Sequence, residues 1–304
     1  MISNKQVKPF VKWAGGKSQL LPFIKEVVPE NITEAEFTYI EPFIGGGAVL
    51  FWVLGNYPTI KNVIINDINT DLINAYKTIK NNVEELISIL HIWEQDYHSI
   101  FDNKKKEYYY AKRVLFNKRI SDTLTQTALF IFLNRTCFNG LYRVNKKNEF
   151  NVPIGSYKKP MICDGKNLRV ISKVLEKVII LNGDFEQTLE YTTQNTLFYF
   201  DPPYKPLSQT SSFNSYTEKE FGDNEQIRLA KFCNNLHSLG HKWILSNSDV
   251  KAKNPNNNFF DNLYKSFNIA RVLARRNINS NPNKRGQLTE LLITNRSLNL
   301  KKME

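Results

Sequence analysis

Cysteine is scarce in this 304-residue sequence, which contains only three. They are far apart, and none belongs to a Cys-x-x-Cys pair: Cys137, Cys163 and Cys233. Cysteines that are so few and so separated exclude a disulfide-built scaffold and give no sign of a zinc site. They are typical of a protein in a reducing environment. We therefore expect a cytoplasmic protein that binds no metal.

Long apolar runs are also missing. No stretch approaches the ~20 residues that a membrane-spanning helix needs. Residues 1–10 lack the apolar region of a signal peptide. These two absences predict that the protein has no membrane partner.

Acidic side chains are in deficit, because 29 Asp and Glu face 41 Lys and Arg and leave a net charge of +12. That excess favours a polyanionic partner, most simply nucleic acid, although charge alone does not identify one. Hydrophobic residues (41%) and aromatic residues (12%) are plentiful enough for a folded core. The length allows one large domain, or a core domain with a sizeable insertion.

Strands and helices alternate over the first 80 residues. A β-prone run at 37–40 stops at a glycine-rich turn and an apolar helix at 48–54, and a second strand at 62–65 precedes a helix at 69–80. This order is typical of a doubly wound α/β sheet. Further strands are predicted at 178–181, 197–200 and 243–245, with a helix at 224–239, and a run at 291–293 is expected to close the sheet.

The alternation of strands and helices stops between residues 83 and 161. This stretch is largely helical, with a basic and aromatic segment at 104–110, and it continues into a loop-like passage at 134–160 that is rich in Asn, Gly and Lys. The plainest interpretation is a middle segment inserted into an α/β core.

The sharpest motif is Asp201-Pro202-Pro203-Tyr204, directly after the strand at 197–200. The carboxyl ends of strands face the ligand crevice in an open α/β sheet, and two prolines stiffen a turn. Such a turn presents a carboxylate, a free Pro202 carbonyl and an aromatic face, which suit a planar group that bears an NH2. The alternative is an ordinary Pro-Pro turn at the end of a strand.

Two glycine-rich segments accompany it. Glu41-Pro42-Phe43-Ile44-Gly45-Gly46-Gly47 lets the backbone approach a ligand before a helix begins, and Asp67 follows about twenty residues later, as in sites for an adenosine-containing cofactor. Lys12-Trp13-Ala14-Gly15-Gly16-Lys17-Ser18 imitates a phosphate loop, but Val11 stands where that motif needs its first glycine. Its Gly-Gly turn either closes over a cofactor or is a surface loop.

These three motifs, in this order, resemble the Dam-like family of DNA adenine-N6 methyltransferases, and the resemblance runs from Lys8 to about Asn295. It implies a Rossmann-like S-adenosylmethionine-dependent sheet with an inserted, mainly helical DNA-recognition domain that contains a β-hairpin. Residues 1–75 and 166–304 would form the catalytic domain, and 76–165 the target-recognition domain. The implied activity is methyl transfer from S-adenosylmethionine, without a metal, to a flipped adenine in double-stranded DNA.

The resemblance also assigns roles to residues. Those that would hold the cofactor are Trp13, Lys17, Pro42, Phe43, Gly45, Gly47, Asp67 on the ribose, Asp184 and Phe185 on the adenine, and Asp201. The catalytic residues would be Asp201, Pro202 and Tyr204, which hold the target adenine.

The middle segment looks like the family's base-reading hairpin, which implies a GATC target. Arg143 would contact a guanine, Leu141 and Pro153 a thymine methyl, and Phe138 would wedge between bases. The remaining implied DNA contacts are Asn139, Asn145, Asn151 and Lys158. Relatives often have tyrosine at the Phe138 position, and some have a basic residue at that of Ser156.

Other interpretations remain open from the sequence. The substrate could be cytosine N4 or RNA adenine, because the predicted pocket recognises only a planar group that bears an amine. Alternatively, the chain could be a DNA-binding protein without activity. Arg271, Arg275, Arg276, Lys284 and Arg285 flank a polar run at 277–283 that either grips phosphates or is a solvated loop. A cognate restriction endonuclease and a monomeric or weakly dimeric state complete the expectations.

Overall fold

One mixed β-sheet organises the chain in the computed structural model, which describes residues 7–13, 15, 17–205, 221–275 and 287–296. Its seven strands lie in the order β3-β2-β1-β4-β5-β7-β6. Their bounds are β1 Phe37–Glu41, β2 Ile60–Asp67, β3 Val178–Asn182, β4 Thr196–Phe200, β5 Lys242–Ser248, β6 Asn268–Arg275 and β7 Gln287–Thr294. Strands β1 to β5 are parallel, and β7 runs antiparallel between β5 and β6. The predicted doubly wound α/β sheet is confirmed.

The C-terminal edge of the sheet differs from the prediction. The run at 291–293 was expected to close the sheet, but its strand β7 lies inside, and β6 forms the edge. Strand β6 was missed because the buried Ala270 and Val272 alternate with the exposed Arg271 and Leu273, and its arginines favoured a loop. Two antiparallel neighbours therefore flank β7, which fixes the register of its backbone.

Arg271, one of the cations that flank the predicted polar run, lies on strand β6. Its guanidinium lies 3.1 Å from the Asp249 carboxylate and 2.8 Å from that of Asp261, so it neutralises acids of its own chain. Arg275 ends β6. The other predicted loop cations, Arg276, Lys284 and Arg285, lie outside the described residues.

Ten helices of the described chain flank the sheet or form the middle segment. They are α1 Leu21–Val27, α2 Glu30–Thr33, α3 Ala48–Asn56, α4 Thr70–Asn81, α5 Val83–Ser99, α6 Asp102–Lys118, α7 Thr123–Thr136, α8 Gly165–Leu175, α9 Asp223–Ser238 and α10 Phe259–Leu263. Side-chain caps fix where two of the long ones begin: Asn69 accepts from the Leu72 amide at α4, and Asp122 from the Thr125 amide at α7. None of the helices in the described residues is long and apolar enough to cross a membrane.

Helix α7 joins the middle segment to the sheet. It is buried on all sides from Thr127 to Asn134, and the Thr127 hydroxyl lies 3.0 Å from that of Thr78 on α4. Buried side chains of the strands, α4 and α7 form one core cluster, and other strand residues form a second cluster with α9. The predicted boundary at residues 75/76 falls inside α4, so the two predicted domains share a helix and a core, and their division stays a prediction.

The segment after α7 folds back on itself as an antiparallel ribbon, called here the 137–154 ribbon. Single bridges join Cys137 to Ile154 and Val144 to Phe150, whereas the resemblance implied a regular β-hairpin. The ladder is interrupted where Asn139 and Gly140 have positive φ angles, which an extended strand does not accommodate. The ribbon nevertheless projects its turn at 145–149, closed by the Asn145 amide donating to the Glu149 carbonyl at 3.0 Å.

Candidate active site

Three loops meet at the carboxyl ends of adjacent strands. Because β2, β1 and β4 are neighbours and parallel, their ends bring together Asp67, the Gly45–Gly47 turn and Asp201. The Gly45 amide donates to the Asp67 carboxylate at 3.1 Å, which ties the first two together. This is the crevice in which open α/β sheets bind ligands.

The Asp201 carboxylate is held from one side. Its Oδ1 lies 3.1 Å from the Lys17 ammonium and accepts a hydrogen bond from the Ser246 hydroxyl at 3.2 Å. No described residue donates to its Oδ2. Burial raises the pKa of Asp201 to about 6, although the charge of Lys17 and its hydrogen bond act in the opposite direction. Asp201 therefore has one oxygen fixed by the protein and one available as an acceptor.

The Tyr204 phenol is fixed at its hydroxyl. The hydroxyl donates to Glu290 Oε2 at 2.7 Å and accepts from the Lys17 ammonium. The Lys17 nitrogen lies 4.1 Å from the centroid of the Tyr204 ring, and the Lys17 side chain is only 3% exposed. Lys17 thus contacts the two predicted catalytic side chains, although it was predicted as a cofactor residue.

The Pro202-Pro203 turn is braced by α9 and β5. The buried Gln226 side chain donates to the Pro203 carbonyl at 3.1 Å and accepts from Asn247 at 3.2 Å. No hydrogen bond within the described residues uses the Pro202 carbonyl. The turn therefore presents the Pro202 oxygen and the free oxygen of Asp201 as two acceptors.

The glycine turn requires glycine at two positions. Gly45 and Gly47 have φ angles of +48° and +76°, which favour glycine. A Cβ on Gly47 would lie 2.5 Å from the Tyr76 hydroxyl, and one on Gly45 would lie 2.9 Å from the Trp13 ring. The Trp13 segment therefore packs directly on this turn, and Pro42 is buried beneath it.

The second acid of the crevice, Asp67, is partly buried among backbone donors. It accepts from the amides of Asn69 at 2.9 Å and Gly45. Burial nevertheless raises its pKa to about 6. Each oxygen of an ionised carboxylate has two acceptor positions, so Asp67 keeps the capacity to bind hydroxyl groups.

Asp184 and Phe185 begin the 3₁₀ turn after β3. The Phe185 ring is buried 5.4 Å from that of Phe43. The Asp184 carboxylate lies 2.6 Å from the Arg228 guanidinium. Burial opposes ionisation of Asp184, but hydrogen bonds from Arg228 hold its pKa below the ordinary value. Arg228 also lies 4.3 Å from the centroid of the Phe185 ring, so one side chain positions both predicted adenine contacts.

The predicted DNA contacts gather on the 137–154 ribbon and just beyond it. Phe138 is 42% exposed although its ring is apolar. Arg143 is oriented by Asn151, whose side-chain oxygen accepts from the Arg143 Nε at 2.6 Å. Asn145 binds within its own turn, donating to Glu149 at 2.8 Å. The remaining members are exposed except for the partly buried Leu141: Asn139, Pro153 and Lys158.

One buried amide joins the ribbon to the active site. Asn134 accepts from the Lys12 amide at 2.8 Å and donates to the carbonyls of Lys12 at 2.8 Å and Gly140 at 3.0 Å. Trp13 stacks on Tyr142 of the ribbon, with ring centroids 5.5 Å apart. Lys12 and Trp13 are therefore fixed against the ribbon.

Sequence reasoning missed Ser246, Glu290, Gln226 and Arg228. Two signals were present. The polar run Ser246-Asn247-Ser248-Asp249 ends a strand in which the preceding residues are apolar, and Glu290 interrupts the apolar strand β7. Neither signal says which loop the side chain meets, because that depends on contacts between distant parts of the chain.

Comparison with known proteins identifies similar sequences. The family model of the D12 class N6 adenine-specific DNA methyltransferases matches residues 13–278. The Type II methyltransferase M.MjaIII of Methanocaldococcus jannaschii is 52% identical over 294 residues, covering 95% of this chain and 99% of the relative. The Type II methyltransferase M1.LlaDCHI of Lactococcus lactis subsp. cremoris is 38% identical over 294 residues, covering 95% of each chain. A DNA adenine methylase of Haemophilus influenzae is 36% identical over 289 residues, covering 94% of this chain and 92% of the relative.

Proposed function

The chain belongs to the D12 class of N6 adenine-specific DNA methyltransferases, and from that membership we propose that it methylates a flipped adenine within GATC in duplex DNA. Its family implies a DNA substrate and S-adenosylmethionine as the methyl donor. The observation that carries the proposal is the Asp201–Tyr204 turn, where Lys17 and Ser246 hold Asp201 Oδ1 and leave Oδ2 and the Pro202 carbonyl as acceptors.

The residues of the crevice fit this cofactor. S-adenosylmethionine supplies an electrophilic methyl group on a positively charged sulfur. We propose that Asp67 binds the ribose hydroxyls and that Phe185 and Asp184 contact the adenine. The glycine turn, with Pro42, Phe43 and Trp13, would line the rest, because Gly45 and Gly47 leave no side chain between the backbone and a ligand. Lys17 contacts Asp201 and Tyr204, so we propose that it acts on the target side.

The catalytic turn would act by positioning and by electrostatics. A base inside a duplex is out of reach, so the adenine must rotate out of the stack. Its amino group would donate to Asp201 Oδ2 and to the Pro202 carbonyl while its ring stacks on Tyr204, which is worth ~1–3 kcal/mol. Ionised Asp201 stabilises the positive charge that develops on N6. These two acceptors also favour a pyramidal nitrogen whose lone pair is available for attack.

The ribbon supports the choice of GATC. Asn151 holds Arg143 at Nε, which leaves both terminal NH2 groups for the O6 and N7 atoms of a guanine. We propose that the Phe138 ring, which is exposed, fills the gap that a flipped base leaves. Membership in an adenine-N6 DNA class favours this substrate over cytosine N4, over RNA and over a DNA-binding protein without activity, which the sequence alone left open.

The proposal extends to partners. Two similar relatives carry the name Type II methyltransferase, which supports pairing with a restriction endonuclease of the same specificity. A cytoplasmic location and a monomeric or weakly dimeric state accompany this proposal.

Transfer of labelled methyl groups tests the activity and the sequence. The protein is incubated with labelled S-adenosylmethionine and with duplexes that carry GATC or the same site with one base pair exchanged. Label on N6 of adenine in the GATC duplex alone is expected. Equal labelling of both duplexes refutes the GATC target, and no labelling of any DNA refutes the activity.

Variants of the ribbon test how the sequence is read. Arg143→Ala should relax discrimination at one guanine by about 1–3 kcal/mol, whereas Arg169→Ala, which alters an exposed arginine paired with Glu84 on α5, serves as the control. Base flipping is tested with 2-aminopurine in place of the target adenine, which should brighten when the protein binds. An equal loss of binding to all duplexes would make Arg143 a phosphate contact, and unchanged fluorescence would contradict flipping.

A further inference from the structure

Glu290 of strand β7 lies outside every motif of the sequence, yet its carboxylate enters the catalytic turn. We propose that Glu290 is a positioning residue for methyl transfer, which fixes the Tyr204 ring and divides the charge of Lys17 between two carboxylates. The inference deepens the proposed function and rests on it. The inference adds a residue of β7 to a site that the sequence motifs place only on other elements.

The contacts form a directed chain. The Lys17 ammonium donates to the Tyr204 oxygen, and the Tyr204 hydroxyl donates to Glu290 Oε2 at 2.7 Å. Lys17 is also 3.6 Å from that Glu290 oxygen and 3.1 Å from Asp201. Because a phenol has one donor hydrogen, and Glu290 accepts it, Glu290 holds the hydroxyl end of the Tyr204 ring in place.

The backbone at Glu290 is held on both sides. It pairs with Ser248 of β5 and with Val272 of β6, and its side chain is 18% exposed. A side chain on a central strand is positioned more accurately than one on a loop. Tyr204, in contrast, lies on a turn, so we infer that Glu290 on the strand positions the Tyr204 side chain.

The charge of Glu290 also affects Asp201. Like charges near a carboxylate favour its protonated form, and an ammonium favours its ionised form. Glu290 therefore favours the protonated form of Asp201, and Lys17 favours its ionised form. The titratable groups that interact with Asp201 are Lys17 before α1, Glu41 of β1, Asp67 of β2, Tyr199 of β4, Tyr204 of the turn and Glu290 of β7. Removing Glu290 or Lys17 should therefore move the titration of Asp201 in opposite directions.

The test uses the full chain and does not depend on the recognition sequence. Methyl transfer to unmethylated genomic DNA is measured against pH for the wild type and for Glu290→Gln, Glu290→Ala and Lys17→Gln. Glu36→Gln is the matched control, because Glu36 is exposed and pairs only with exposed Lys61. Melting curves and cofactor binding are measured for each variant.

We expect Glu290→Ala to lower kcat about ten- to a hundredfold, with the KM for DNA and the cofactor affinity within about twofold of the wild type. Glu290→Gln keeps an oxygen that accepts from Tyr204, so it should recover part of kcat and shift the acidic limb of the profile to lower pH. Lys17→Gln should shift that limb to higher pH. Glu36→Gln should superimpose on the wild type.

A second variant covers a failure of the Glu290 variants to fold. Tyr204→Phe removes the same hydrogen bond from the other side and leaves Glu290 in place, so it should by itself lower kcat. Where Glu290→Ala folds, adding it to Tyr204→Phe should lower kcat by less than the product of the two single effects. An active wild type with unchanged kcat in Glu290→Ala, an unmoved acidic limb in Glu290→Gln, or multiplicative single effects would overturn this inference alone. A wild type that methylates no DNA would overturn the proposed function as well.

Discussion

Replacing Asn134 with alanine should lower the free energy of unfolding by about 2–4 kcal/mol. The Asn134 side chain is 1% exposed and makes hydrogen bonds to the Lys12 amide, the Lys12 carbonyl and the Gly140 carbonyl. Each such bond contributes about 0.5–1.5 kcal/mol net, and a buried backbone group left without a partner costs about 1–3 kcal/mol. The lower end of the range applies where water enters the space.

Asn134→Asp should be worse than Asn134→Ala. The aspartate would keep an acceptor for the Lys12 amide, but it would turn a second oxygen towards two carbonyl oxygens, where Asn134 now donates. A buried carboxylate without a partner is among the most unfavourable groups in a protein interior. The order of stability is therefore wild type, Ala, then Asp, and the gap between the two variants should close at acidic pH, where the new carboxyl is protonated and donates.

Urea unfolding followed by tryptophan fluorescence measures the difference. Asn56→Ala is the matched control, because Asn56 is exposed and makes one local bond to the Trp52 carbonyl; its change should stay within about 0.5 kcal/mol. If Asn134→Ala loses no more than this control, or if Asn134→Asp equals the wild type at neutral pH, the buried amide does not join Lys12 to the ribbon as described.

Three further predictions concern the crevice and DNA. Since burial raises the pKa of Asp201 to about 6, protonation should lower kcat as the pH falls through that value, and a kcat that stays flat down to about pH 5 would contradict an ionised Asp201. Gly47→Ala places a Cβ 2.5 Å from the Tyr76 hydroxyl at a positive φ, so stability should fall by about 1–3 kcal/mol and calorimetry should show weaker cofactor binding; unchanged melting would mean that the turn has relaxed. DNA affinity measured by fluorescence anisotropy should fall steeply with salt while cofactor affinity changes little, and Lys158→Ala should reduce the salt slope by about one; an unchanged slope would remove Lys158 from the interface.

The strands that sequence reasoning found contain uninterrupted apolar runs, and this holds even for the edge strand β3, whose Ile179 is exposed. Strands β1 and β4 are buried throughout, so they stand out as apolar runs between turn residues. Strand β6 differs, because its outward residues include the exposed Arg271 and Leu273. An edge strand with charged outward positions resembles a loop in composition, which is why the periodicity of two was hidden there.

In the candidate site, too, the sequence predicts some residues and misses others. Motif residues such as Asp67 and Asp201 follow their strands directly, and the carboxyl ends of parallel strands lie at the same edge of the sheet. The sequence therefore predicts that these motifs are neighbours in space. Glu290 and Arg228 reach the site from elements on which no motif stands. Their contacts depend on an antiparallel strand and on the face of α9, neither of which is encoded locally.

Net charge shows the limit of composition most clearly. The excess of +12 predicted a polyanion, but the structure engages several arginines with acids of the same chain: Arg119 with Asp71, Arg169 with Glu84, Arg228 with Asp184 and Arg271 with Asp261. Exposed cations of the described residues that form no ion pair are spread over the surface, for example Lys25, Lys177 and Lys265, and four of them lie on and after the ribbon: Lys146, Lys147, Lys158 and Lys159. An arginine that is already paired with an acid gains little net free energy from binding a phosphate, because its partner acid would be desolvated or left unpaired. Among these cations, we expect the ribbon lysines to attract DNA, because they share the ribbon with the exposed Phe138 and with Arg143, which Asn151 holds at Nε.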